Sequence, residues 1–535
     1  MTHNGPMPLV LGPVLRRVVG DTATIWAEVD RPGTVRVRAG HAEGTAATIT
    51  AYGHHYALVQ VRGLPPGAAT PYQVLVDGRV EWPPTGERED RAGASARTAV
   101  ASEEGPDSDR PASVIRTHSD GAPVRIGFGS CYRPDTPLSP PDALSAYAER
   151  CADDGDLPDL LLLLGDQVYA DERGKHAQSF DGYAALYREV WGQPAIRWLL
   201  STVPTAMIFD DHEIVDDWNS SAAWLADVRK DPEWRARIVN GLASYWIYQH
   251  LGNLEPGELA ADPVLAKVTT ARTDATEVLT DFAREAARGS AVPELYRWSY
   301  TLEVGGTRVI VLDNRANRVL DPDARRMLPP AEWEWFTREA GGDCDHLVIG
   351  SSLPWLLAPA LHHLEALTEK ICTVPGSRRS AIAERARRAF DLEHWAAVGA
   401  SFDALAEVLA DVAGGGGPAS VTVLSGDVHH SYVARAVLPG APVHQVTCSP
   451  LRNRVDPAMR AMLRTGWWPG VRAGVRRIGR LAGVPRQPLR WRRRAGPYFG
   501  TAIGTLVLDG RSARVTIEGA HTDHQLAPVL EVALS

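Results

Sequence analysis

Two hydrophobic rhythms divide the chain. Near the start, apolar and polar residues alternate through Thr22–Val29 (TATIWAEV), 34–38 and 72–76, with Gly and Pro between them. A period of two predicts half-buried β-strands. Past residue 123 the pattern changes to short unbroken apolar runs, at 124–128, Leu160–Leu164, 205–209, Thr307–Leu312, 347–349 and 421–424, separated by helical patterns such as 233–251. Runs of that length bounded by Gly, Asp or Ser read as strands buried on both faces. Their alternation with helices is α/β organisation. Between the two regimes, 101–123 is rich in Ser, Asp, Pro and Gly without periodicity and reads as a linker, giving a β domain at 1–100 and a larger domain at 124–535. A flexible loop is expected at 414–417, and 501–518, split by Asp509-Gly510, predicts a hairpin that closes the sheet.

Composition excludes several classes. With 44% hydrophobic and 23% charged residues among 535, the chain is globular in character rather than disordered or fibrous. No apolar run approaches a membrane span, and Arg16-Arg17 follow rather than precede the apolar stretch 8–15, the reverse of a secretory signal. The expectation is a soluble cytoplasmic protein. Its five cysteines, Cys131, Cys151, Cys344, Cys372 and Cys448, form no CxxC pair, so neither a disulfide framework nor a zinc knuckle is indicated. Charge is uneven: 460–494 holds eleven arginines and no Asp, Glu or Lys, and removing those eleven from the net −9 leaves −20. An acidic body with one arginine belt is not the pattern of a sequence-specific nucleic-acid binder. Gly466, Gly470 and Gly474 are expected to keep the belt out of a long helix, as a solvated excursion. Its sharper readings are a lid that steers anions, or a weak membrane-surface contact through Trp467, Trp468 and Trp491.

Chemistry-bearing residues follow the buried runs. The clusters are Gly129-Ser130-Cys131-Tyr132-Arg133, Gly165-Asp166-Gln167-Val168-Tyr169, Asp210-Asp211-His212-Glu213 and Gly426-Asp427-Val428-His429-His430. The carboxyl ends of strands in an open α/β sheet converge on one crevice, so the four can meet. So many carboxylates are costly to desolvate without cations, which makes metal ions the economical explanation. Mixed Asp, His, Tyr and Cys donors suit a harder transition metal, and additional carboxylates suit an oxygen-preferring ion.

The motifs GSC, GDQVY, DDHE and GDVHH resemble those of the alkaline phosphatase D (PhoD-like) branch of the metallophosphoesterases, over about 124–430. The opening strands, with Gly63-Leu64-Pro65-Pro66-Gly67 before Tyr72, are similar to a fibronectin-like sandwich. The resemblance implies a four-layer αββα core and a phosphatase or phosphodiesterase acting by in-line attack of a metal-activated hydroxide. It implies Cys131, Asp166 and Tyr169 around Fe(III), with Asp166 bridging to a second site of Asp211, Asp427 and His429 that takes Ca2+. Mn2+ or Zn2+ are alternatives. Asp217 stands nearest to the position where relatives carry an Asn ligand, which leaves the number of calcium ions open. His212 is the expected acid for the leaving group, and Arg133 offers a fork for phosphate oxygens. Asp210 is placed to cap a following helix, His430 to support the ligands, and Arg315 and Arg318 to brace the site. The other classes of function are a phospho-ligand-binding module and a membrane-associated scaffold on the same fold. Oligomeric state is unassigned.

Overall fold

The computed structural model describes residues 9–84, 110–134, 140–171, 178–271, 273–288, 296–373, 377–455 and 457–535. The alternating region forms nine strands in two halves. Leu9–Val19, Thr22–Val29, Ile49–Ala51 and His54–Arg62 make one half, and Thr34–Ala39, Ala42–Ala47, Ala69–Val76, Arg79–Trp82 and Val114–Arg116 the other. A single pairing, Glu43 with Arg62, joins them. Ile25, Val59 and Val61 of the first half pack with Val35, Val37 and Val74 of the second, as period-two patterning requires. The expected linker lies outside the described residues at 101–109, and its later part supplies the strand Val114–Arg116, paired to Ala69–Val76.

The body is a four-layer αββα stack. One sheet runs in the order Thr205–Ile208, Leu160–Leu164, Val124–Gly129, Ala502–Asp509, Ser512–Thr522, Gln525–Ala533, its first three strands parallel. The other runs Tyr300–Val304, Thr307–Leu312, His346–Ser351, Ser420–Ser425, Val443–Thr447, Ser431–Ala436, Trp491–Tyr498. The unbroken apolar runs have a direct reason: each strand feeds two hydrophobic layers. Leu162 and Leu164 face Val311, Val348 and Leu424 between the sheets, while Leu161 and Leu163 face the helices Phe180–Trp191 and Pro194–Thr202 outside. Val421 and Val423 likewise turn out to meet Phe402, Leu405 and Leu409 of the helix Gly399–Gly414.

Three expectations need correction. The pattern at 233–251 is α-helical only at Trp234–Ser244 and continues as π-helical turns at Tyr245–His250. There the buried Arg16 guanidinium, donating to Tyr248 O at 3.0 Å and Gln249 O at 2.6 Å, takes carbonyls that the helix leaves open. The C-terminal hairpin has a third strand, Gln525–Ala533. Finally, Gly470 and Gly474 do not break the arginine belt, which forms the helices Pro457–Thr465 and Pro469–Leu481 before the edge strand Trp491–Tyr498. The amphipathic spacing of its apolar residues outweighs the helix cost of two glycines, roughly 1 kcal/mol each.

Candidate metal centre

All four predicted clusters meet where strands of both sheets end. Cys131, Asp166, Asp427 and His429 adopt positive φ of 60°, 53°, 66° and 48°, a region that non-glycine residues enter at a cost of about 1–3 kcal/mol each and that gathers at functional sites. The loops touch backbone to side chain: a Cβ on Gly426 would lie 2.0 Å from Ser130 Oγ, so only glycine lets the fourth loop close on the first. Cys131 is fully buried and accepts from Ser449 Oγ at 3.2 Å. Tyr169 donates to Asp166 Oδ2 at 3.2 Å and accepts from Asn453 Nδ2 at 2.8 Å.

Donor atoms gather in three groups, each with its atoms within 4.8 Å of one another: Cys131, Asp166 and His429; Asp166, Asp211 and His212; Asp210, Asp211 and Asp427. Asp166 belongs to two of them. His429, which the motif resemblance put mainly in the second site, lies with Cys131. Asp217 belongs to none, though its backbone N–H donates to Asp211 Oδ2 at 2.9 Å and its own Oδ1 has no partner.

Electrostatics asks for cations here. Burial, then the Asp210 and Asp211 charges, hold Asp166 well above the usual carboxylate range against the pull of His212. Burial, then Glu393 and Asp216, push Asp217 up to about 9. Burial also lifts the Cys131 thiol and the Tyr169 phenol, with Asp166 adding to both. Asp166 Oδ1 and Asp210 Oδ2 are buried without a hydrogen-bond partner. Buried carboxylate oxygens without partners, in donor groups that also hold a thiol and an imidazole, are a set that fits metal ions.

Arg315 is the cation the chain itself supplies. Fully buried, it pairs with Asp210 and Glu393 and approaches Asp211 at 3.4 Å and Asp427 at 3.5 Å. Asp210 therefore caps no helix; the next one begins at Ala222, and its carboxylate holds Arg315 instead. Arg318 braces the loop from its own Asn314 O at 2.5 Å and reaches Glu393 at 3.4 Å. His430 turns away, donating to Val428 O at 2.7 Å and stacking on Tyr432 and Phe499. The Arg133 guanidinium stands 6.0 Å from the centre of the Tyr169 ring.

His212 bonds through Nδ1 to Asp171 at 2.9 Å and packs on the Tyr169 ring, with centroids 4.4 Å apart. Burial opposes its charge, but Asp166, Asp171 and Asp211 together hold its pKa well above the ordinary value. The site has further members whose work the motifs did not reveal. Glu213 accepts backbone N–H groups of Asp166, Gln167 and Asp210, and His394 bridges Asp427 at 2.9 Å and Glu365 at 2.8 Å. The signal for His394 was the acidic run Asp391-Leu392-Glu393-His394, within a segment with no strand before it. Asp166, Asp211, His212, His394, Asp427 and His429 line a cavity of about 100 Å³ whose other wall is apolar, with Leu357, Leu361, Met459, Met462 and Leu463.

The family model for PhoD-like phosphatases matches residues 140–261, and a domain of unknown function, DUF7800, matches residues 6–93. No curated protein matches the sequence. A solved structure titled "Structure of PhoD" superposes with a TM-score of 0.60 at 11% identity, covering 100% of this chain and 90% of that one, and shows the fold to be shared. A maltogenic amylase from S. marinus, at TM-score 0.15 and 9% identity over 95% of this chain and 76% of that one, has no bearing on the fold.

Proposed function

We propose that this chain, whose residues 140–261 match PhoD-like phosphatases, hydrolyses phosphate monoesters or diesters at the four-loop centre with metal ions as cofactors. The observation that carries the reading is Asp166, buried, with one oxygen unpartnered, and common to two of the donor groups. Cys131, Asp166, Tyr169 and His429 would hold one ion, and a thiol and phenol there suit Fe(III). Asp166, Asp211 and Asp427, with Asp217 beside them, would hold a second, oxygen-preferring ion such as Ca2+, with Mn2+ or Zn2+ as alternatives. When bound, such ions supply Lewis-acid activation of water and positive charge for the phosphoryl oxygens. The residues of the chain provide the rest. Asp171 fixes Nδ1 of His212, leaving Nε2 to carry the proton that the departing alkoxide needs. Arg133 contributes a fork for phosphate oxygens, and the apolar wall seats the organic group of the ester.

The test is elemental mass spectrometry of the purified chain beside hydrolysis of p-nitrophenyl and bis-p-nitrophenyl phosphate. Asp166→Asn and Cys131→Ala are expected to lose both metal and turnover. His212→Ala should keep metal and lose turnover by about 10²–10⁴. Normal turnover in His212→Ala removes that residue from the chemistry. Metal-replete protein that cleaves neither ester makes phospho-ligand binding the better reading.

A further inference from the structure

The helix Pro469–Leu481 is two-faced in an unusual sense: its apolar side points to solvent. Trp468 just before it and Val471, Ile478 and Leu481 along it are 57%, 39%, 57% and 83% exposed, and with Val475 they recur at the three- and four-residue spacing of one stripe. Arg472, Arg476 and Arg480 recur at four-residue spacing and run from one edge of the stripe round to the face opposite it, and Arg477 lies beyond its other edge. With Arg486 and Arg490, those three arginines border a groove of about 540 Å³. Among the described residues no carboxylate pairs with Arg472, Arg476, Arg477 or Arg480, although the remainder of the chain outside 460–494 stands at −20.

We propose that this helix docks the protein on an anionic phospholipid surface, lying in the plane of the interface. Low overall hydrophobicity, one apolar stripe and a polar face rich in arginine are the pattern of interfacial helices. Arginine attracts a negative leaflet, and a tryptophan at one end of the stripe suits the headgroup level. A soluble polyanion would account for the arginines but leave four exposed apolar side chains without a role. The acidic remainder of the body is repelled by the same surface, so electrostatics also fixes which face approaches it. The proposal is independent of the metal centre.

Sedimentation of the full chain with vesicles tests it. Protein should pellet with phosphatidylcholine vesicles containing about one third phosphatidylglycerol and stay in solution with pure phosphatidylcholine, and raised salt should release it. Arg472→Gln, Arg476→Gln and Arg480→Gln should weaken partitioning about fivefold each, roughly a hundredfold combined. Ile478→Glu with Leu481→Glu should abolish it, and because both side chains are in solvent, unchanged circular dichroism verifies folding. Equal binding to neutral vesicles, no pelleting at all, or full binding by the Ile478→Glu, Leu481→Glu variant overturns the proposal. Saturable binding of tripolyphosphate without vesicle binding also overturns it and makes the groove a site for soluble polyanions.

Discussion

Glu213 holds four hydrogen bonds on two buried oxygens: Oε2 accepts from the N–H of Asp166 at 3.1 Å and of Asp210 at 2.9 Å, and Oε1 from Gln167 N at 2.7 Å and Gln249 Nε2 at 3.1 Å. It thereby ties the loop carrying Asp166 to the loop carrying Asp211. Glutamine has the same shape, but its amide turns a donor toward two donors. Glu213→Gln is therefore expected to lose about 2–3 kcal/mol of stability, the cost of buried groups left unsatisfied. It should also lower metal content and kcat together, because Asp166 is displaced. Urea melts and elemental analysis of the same preparation check this; wild-type metal content would mean the two loops are held by other contacts. Glu213 was visible in the sequence as the last residue of DDHE, yet its work was not, because its partners include main-chain groups 46 and 47 positions away. The ligand candidates were legible for the opposite reason. Cys131, Asp166, Asp211 and Asp427 each stand two or three positions after a buried run, and parallel strands deliver such positions to one end of a sheet.

At the scale of elements, strands were easier to read than the irregular turns that carry the interface between domains. Leu160–Leu164 could be read as a strand from five leucines alone, since both faces are buried. The π-helical turns at Tyr245–His250 could not, because Arg16, which donates to two of their carbonyls, lies more than 230 residues before those carbonyls. That side chain reaches through the first strand to the turns, also meeting Asn253 Oδ1 at 2.9 Å. Burial lowers its pKa to about 10. Gly252 leaves it room, since a Cβ there would lie 2.3 Å from Arg16 Nε. Arg16→Met keeps most of the volume but withdraws the donor from two carbonyls, while Asn253 Oδ1 keeps the N–H of Met207 at 3.0 Å, so a loss of about 2 kcal/mol is expected from the urea midpoint. Gly252→Ala should destabilise in the same direction by displacing the guanidinium. A midpoint unchanged in both variants would show that the π-helical turns do not depend on this contact. The arginine belt illustrates the same limit from another side: its glycines suggested an open excursion, while its apolar spacing specified the helix that formed.

For the whole molecule, the candidate donors come from both sheets. Cys131, Asp166 and Asp211 extend from the six-stranded sheet, and Asp427 and His429 from the seven-stranded one. Cations bound there would cross-link the two halves of the αββα stack, adding to the apolar contacts between them. The β domain is joined to this unit as well. Trp26 and Tyr56 pack in one cluster with Tyr187, Trp191 and Tyr248, and Tyr72 donates to Ser201 O at 2.7 Å. Removing bound metal should therefore lower the temperature of a single unfolding transition rather than split it in two. The sign follows from mass action. An ion that binds the folded centre and not the unfolded chain stabilises by about 4 kcal/mol when present at a thousand times its dissociation constant. Chelation withdraws that stabilisation and leaves the charges of Asp166, Asp210 and Asp211 to repel one another, offset by His212 and Arg315. Differential scanning calorimetry with and without a strong chelator reads the effect, with a fall of several degrees expected for the wild type. Asp166→Asn, which removes the shared ligand, should melt at nearly the same temperature in both conditions. A chelator-insensitive wild type would place the compensating charge on Arg315 and His212 and remove the structural role of the ions. Two separated transitions in the chelated protein would instead make the metal centre the principal tie between the sheets.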